Sequence, residues 1–221
     1  FYQRFKLKGS VKKATIYATS YGIYELNLNG NKIGKDYFTP GWTSYHHRLQ
    51  YQTYDVTEQL SQENLIEMMI GRGWYAGYFG FEMKEHHYGD QLGAFLQLNV
   101  HYEDGTTDSI YTDENWRVKT GQITKSEIYL GETIDTTIEE ERNGRVELLE
   151  FDKQTLVSQE NEPVRITQKL EVVEEFITPK GEHVLDFGQN LTGWVEFTVK
   201  GTKGQKLVIE HAETLDKDGN F

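Results

Sequence analysis

The chain has 221 residues, of which 37% are hydrophobic and 13% aromatic, enough for one large domain or two small ones. It contains no cysteine, which excludes disulfides, thiolate catalysis and cysteine-held zinc or iron–sulfur centres. No apolar run reaches the length of a membrane-spanning helix, and a formal net charge of −12 argues against nucleic acid, whose phosphates such a surface repels.

Composition points to strands. Tyr 14, Phe 11 and Trp 4 accompany 21 glycines and only 3 prolines. Aromatic and β-branched residues suit a pleated, half-buried surface, and glycine supplies the turns. The expected class is all-β. A cysteine-free chain fits a reducing compartment, and the expected location is cytoplasmic. Phe1-Tyr2 opens the chain without Met or a leader-like pattern, and it closes on Asp218-Gly219-Asn220-Phe221, a turn signal with no strand after it. Both ends read as cuts in a longer polypeptide.

In chain order, Ala14, Ile16 and Ala18 alternate with polar neighbours, then Tyr24, Leu26 and Leu28 do the same. Asn29-Gly30 predicts a tight hairpin turn toward Ile33, because both residues tolerate positive φ. A third alternating run over 51–56 leads to Thr57, the expected N-cap of one short helical turn. Residues 65–70 are apolar almost throughout and predict a strand buried on both faces. Ala94, Leu96, Leu98, Val100 and Tyr102 alternate cleanly, and Asp104-Gly105 turns that strand back toward 109–112. No helical period persists. Many short strands at even spacing predict a β-sandwich or jelly roll.

Between 132 and 175 the chain carries thirteen acids against five bases, a net of −8. This predicts a solvated connector with one or two edge strands; its spacing matches no EF-hand loop. Strand patterns return after Pro163, at 164–170, 184–187, 194–199 and 207–211. The expected organisation is a jelly-roll domain over 1–140, an acidic connector over 141–162, and the truncated start of a second β-sandwich over 163–221.

Candidate chemistry is sparse. There is no G-x-S-x-G elbow, P-loop or helix-opening G-x-G-x-x-G. The pairs His46-His47 and His86-His87 sit on adjacent residues, which point to opposite faces of a strand, an arrangement poorly suited to one metal. The stretch 71–81 sets five aromatics among four glycines, and Tyr88-Gly89-Asp90-Gln91 follows. Such aromatics either pack a core or stack on the C–H face of a sugar, whose hydroxyls carboxylates and amides bind. Trp74, Tyr75, Asp90 and Gln91 are the candidate carbohydrate contacts.

Four stretches resemble the N-terminal part of bacterial α-L-rhamnosidases, glycoside hydrolase family 78. They are Tyr24-Glu25-Leu26-Asn27-Leu28-Asn29-Gly30 with Thr39-Pro40-Gly41-Trp42-Thr43; Gln50-Tyr51-Gln52-Thr53-Tyr54-Asp55-Val56-Thr57; Gly73-Trp74-Tyr75 through Tyr88-Gly89-Asp90; and Leu130-Gly131-Glu132-Thr133-Ile134-Asp135. Asp186-Phe187-Gly188-Gln189-Asn190, Gly193-Trp194-Val195 and His211-Ala212-Glu213 look like the start of the next β-domain of those enzymes. The resemblance implies a galactose-binding-like jelly roll, in a parent enzyme that removes terminal α-L-rhamnose with inversion. It places the catalytic glutamates on an (α/α)6 barrel C-terminal to this region, so no catalytic residue is expected here. The implied partners are rhamnose-containing glycosides and that catalytic domain, with no nucleic acid or membrane. Related modules hold rhamnose through calcium at an Asp-Asn pair, matched here by Asp90-Gln91, whose Gln is one methylene longer. Glu132 and Asp135 are further candidate cation or sugar ligands, so Asp90, Glu132 and Asp135 form the candidate calcium set, although no cofactor is required. The alternative is a structural spacer bracing the barrel through Trp74, Tyr75 and Trp194.

Overall fold

The computed structural model describes residues 1–139, 142–202 and 204–221. The predicted boundary between 140 and 141 falls on Glu140 and Glu141, outside the described residues. By contact density the chain divides into two compact units, Phe1–Arg165 and Ile166–Phe221.

The first unit holds the strands β1 (Tyr2–Lys6), β2 (Val11–Tyr21), β3 (Ile23–Leu28), β4 (Asn31–Lys32), β5 (Leu49–Asp55), β6 (Glu63–Gly71) and β7 (Gly93–Tyr102). It continues through β8 (Thr107–Tyr111), β9 (Arg117–Thr120), β10 (Ile123–Glu127), β11 (Gly131–Ile134), β12 (Arg142–Arg145) and β13 (Leu156–Ser158). Its α-helix, α1, is a single turn at Gly73–Ala76. One sheet runs β12-β9-β1-β6-β3-β4 and the other β13-β5-β2-β7-β8, while β10 and β11 form a hairpin of their own. The chain is all-β, as its composition predicts.

Inward-facing alternation builds the core. Ala14, Ile16 and Ala18 pair across β2 and β7 with Val100, Leu98 and Leu96, and Leu26 and Leu28 pair across β3 and β6 with Met68 and Ile66. All ten belong to one buried cluster and are at most 1% exposed, so the two sheets close face to face over it. Asn29 (φ 54°) and Gly30 (φ 80°) form the expected turn, with Leu28 opposite Asn31. Asp104 closes the β7–β8 turn by accepting from the Thr106 N–H at 2.9 Å.

Two local expectations are corrected. Residues 65–70 are not buried on both faces: inside β6, Ile66 and Met68 are buried while Met69 is 52% exposed. The outer face of that sheet meets solvent, so the strand obeys ordinary alternation despite its apolar run. Thr57 is not an N-cap but the first residue of a 3-10 turn, Thr57–Gln59. Its hydroxyl accepts from the Ala14 N–H at 3.0 Å and donates to Asp55 at 2.6 Å, tying the turn to β2. In the acidic segment, β12 and β13 are edge strands, one on each sheet. Residues 142–145 and 156–158 of the expected connector therefore belong to the first unit. β13 pairs parallel with β5 through Leu156 opposite Leu49.

The second unit contains the hairpin β14 (Glu174–Ile177) and β15 (His183–Asp186). Of the strands predicted after Pro163, 184–187 coincides with β15 to within a residue, whereas 164–170, 194–199 and 207–211 contain no strand. Val164 makes an isolated bridge to Tyr37, in the first unit. An alternating pattern becomes a strand only where another strand supplies its hydrogen bonds, and 195–199 and 207–211 belong to no strand ladder among the described residues. Trp194, Phe197 and Val199 are each 56% exposed. Exposed apolar segments that lie outside any sheet invite association between copies. Light scattering is expected to report a mass that rises with concentration; a strict monomer at high concentration contradicts this.

Candidate functional site

The site begins with backbone that only glycine permits. β6 ends at Gly71, and Gly73 then adopts φ +54°, where an added Cβ would lie 2.6 Å from the Ile23 side chain. This reversal starts α1 and presents Trp74 and Tyr75. Gly77 follows, with no room for a Cβ between the Gly73 carbonyl at 2.4 Å and a Glu127 carboxylate oxygen at 2.6 Å.

Trp74 and Tyr75 part company. Tyr75 is 8% exposed, stacked on Tyr21 at 4.6 Å and edge-on to Tyr45 at 5.5 Å. It belongs to a second buried cluster with Tyr45, Leu49 and Ala76. In this packing the ring of Tyr75 faces other rings. Burial, followed by Tyr21 and Asp90, pushes its hydroxyl above the usual tyrosine range. Trp74 is half-buried and lies against Phe38 at 5.9 Å and Trp42 at 6.3 Å, nearly parallel to the latter at 20°.

Trp42 is the residue the sequence reading did not single out for the site. It is 46% exposed, with Trp74 behind it and Phe79 edge-on at 4.8 Å. Its indole N–H donates to the Tyr88 hydroxyl at 3.2 Å, and Tyr88 sits edge-on to Tyr45 at 5.0 Å and beside His46 at 5.6 Å. The loop carrying Trp42 is held from inside: buried Gln50 and Gln52 on β5 both donate to the Pro40 carbonyl, at 3.3 and 3.2 Å. Asn161 donates to the Trp42 carbonyl at 3.2 Å, and Tyr45 to the Gly41 carbonyl at 2.8 Å. The signal available in sequence was the pair of glutamines at alternate strand positions, aimed inward beside a Thr-Pro-Gly turn.

Below this ridge lies an ionic cluster. Arg72 donates to Glu127 at 2.9 Å, to the Ala76 carbonyl at 2.8 Å and to Glu85. The Glu127 side chain is only 2% exposed. The Tyr78 hydroxyl and then Arg72 hold the Glu85 carboxyl below the usual glutamate range. A depressed carboxyl stabilises the fold at neutral pH, and that contribution disappears as pH falls from the ordinary value of 4.5 through the lower folded one. Tryptophan fluorescence is therefore expected to report a reversible loosening of the ridge at acid pH, shifted or abolished by Glu85→Gln. An identical acid profile in that variant contradicts the assignment.

Asp90 and Gln91 are exposed in the loop before β7. Glu132 is exposed on β11, and Asp135 just beyond it already accepts from the Thr137 N–H at 2.9 Å and hydroxyl at 2.6 Å. Calcium takes six to eight oxygens. Among the described residues no three His, Cys, Asp or Glu side chains gather as a metal-binding group, so Asp90, Glu132 and Asp135 are not brought together as one ligand set.

The first unit is thus a two-sheet β-sandwich that carries an aromatic ridge of Trp42, Trp74 and Phe79. The family model for the α-L-rhamnosidase N-terminal domain matches residues 9–168, and that for the bacterial α-L-rhamnosidase concanavalin-like domain matches 177–221. The chain belongs to the α-L-rhamnosidase N-terminal domain family. It is 36% identical over 223 residues to an α-L-rhamnosidase of Streptomyces avermitilis, covering 96% of this chain and 22% of that protein. To one of Formosa agariphila it is 31% identical over 235 residues, covering 99% and 25%. Among solved structures, native α-L-rhamnosidase from Aspergillus terreus superposes with a TM-score of 0.83 at 36% identity, over 92% of this chain and 25% of that one. The Streptomyces avermitilis enzyme complexed with L-rhamnose gives 0.71 at 33% identity, over 86% and 20%. The chain thus spans about a quarter or less of the relatives it matches.

Proposed function

We propose that this region is a non-catalytic, N-terminal accessory part of an α-L-rhamnosidase that removes terminal α-L-rhamnose with inversion, and that its ridge binds rhamnose-containing carbohydrate. The observation that carries the reading is Trp42: an exposed indole, backed by Trp74, whose N–H is already committed to Tyr88. Its apolar face is left to stack on a sugar, Tyr88 keeps its own proton to donate, and exposed Asp90 and Gln91 lie two and three residues further on as partners for hydroxyls. Hydrolysis takes place on the catalytic domain of the parent chain. No step here runs through calcium.

The spacer reading, with the region bracing the (α/α)6 barrel, is favoured by Trp194, one of its three bracing residues, which is 56% exposed. Saturation-transfer NMR with L-rhamnose separates the two. Saturable transfer that persists in EDTA supports the ridge, and silence supports the spacer. Loss of transfer in EDTA returns the metal to the site. Turnover of a chromogenic α-L-rhamnoside by this chain alone overturns the non-catalytic assignment.

A further inference from the structure

Three pieces of chain converge on one guanidinium. Arg72 lies at the junction of β6 and α1; it bonds Glu127 at the end of β10, the carbonyl of Ala76 at the end of α1, and Glu85 in the following loop, with His86 Nε2 at 3.4 Å. The second Glu127 oxygen accepts from the Tyr78 N–H at 3.3 Å. Gly77 is what allows the backbone to come this close to the carboxylate. Arg72 and Glu127 touch neither Trp42 nor the exposed ridge face; they grip both ends of the segment that carries Trp74 and Phe79, the two rings against which Trp42 rests.

We propose that the Arg72–Glu127 pair is a positioning device for the Trp42–Trp74 platform, setting carbohydrate affinity without touching the sugar; this rests on the ridge reading above. A planar fork is needed, because one guanidinium serves two carboxylates and a carbonyl in fixed directions. Lysine keeps the charge and loses the fork. Glu127 is buried, so its oxygens have no solvent to fall back on when the fork is gone.

The test compares wild type, Arg72→Lys and Glu127→Gln at a temperature where circular dichroism reports each as folded. Two readouts are taken: calorimetric affinity for L-rhamnose, and the exciton signal of the stacked Trp42–Trp74 pair, which Trp42→Phe identifies. The expected result is an affinity loss of about tenfold or more with a weakened exciton signal in Arg72→Lys. Glu127→Gln, which keeps volume and one acceptor oxygen, gives the same pattern where Arg72→Lys does not fold. Folded variants with lowered melting temperature but unchanged affinity and exciton signal overturn the positioning role and leave the ridge standing. A wild type that binds no rhamnose, with the exciton signal still lost in the variants, overturns the ridge and keeps the device.

Discussion

Trp116→Ala is expected to lower the stability of the first unit by about 3–5 kcal/mol. Trp116 is 1% exposed and sits where the chain leaves β8 in one sheet for β9 in the other. Its ring belongs to the main core cluster, and its indole N–H donates to the Tyr111 carbonyl at 2.8 Å. Alanine leaves both a cavity and an unanswered carbonyl at the crossing between sheets. Trp116→Phe retains most of the packing and forfeits the hydrogen bond, at an expected cost of about 1–3 kcal/mol. Chemical denaturation measures both, and a loss below about 1 kcal/mol for alanine contradicts the packing account.

Tyr75→Ala carries the second large effect, again about 3–5 kcal/mol, for a different reason. Tyr75 joins Tyr21, Tyr45 and the loop at Gly89, where an added Cβ would sit 2.1 Å from the Tyr75 hydroxyl oxygen. Removing the ring empties the second buried cluster under α1. Tyr75→Phe keeps the stack on Tyr21 and is expected to cost under about 1 kcal/mol. A folded Tyr75→Phe that loses rhamnose affinity while keeping its stability would make Tyr75 a sugar contact, against the burial described here.

The core was legible because its signal is local. Ala14, Ile16 and Ala18, and the five alternate residues from Ala94 to Tyr102, advertise one buried face in the sequence itself, and the Asn29-Gly30 turn announces its own geometry. Residues 65–70 misled because an apolar residue costs little on a solvated sheet face, so Met69 gives no sign of its exposure. The segments 194–199 and 207–211 misled for the converse reason: pattern reports what a strand could bury, while pairing depends on a neighbour. The ridge was half legible. Its glycines and aromatics drew attention to 71–91, but which ring turns outward is decided by residues far away in sequence. Buried Gln50 and Gln52 push Trp42 to the surface through Pro40, and the Tyr21 stack draws Tyr75 in. Glu127, whose neighbours on β10 are all exposed, gave no hint of its burial against Arg72.

The most direct measurement is isothermal titration of L-rhamnose into the wild-type chain and into Trp42→Ala. Wild type is expected to bind saturably, and the variant to unfold at the same denaturant concentration while losing at least about tenfold in affinity. Equal affinity in the two proteins, or no binding heat from wild type, would contradict the role given to Trp42.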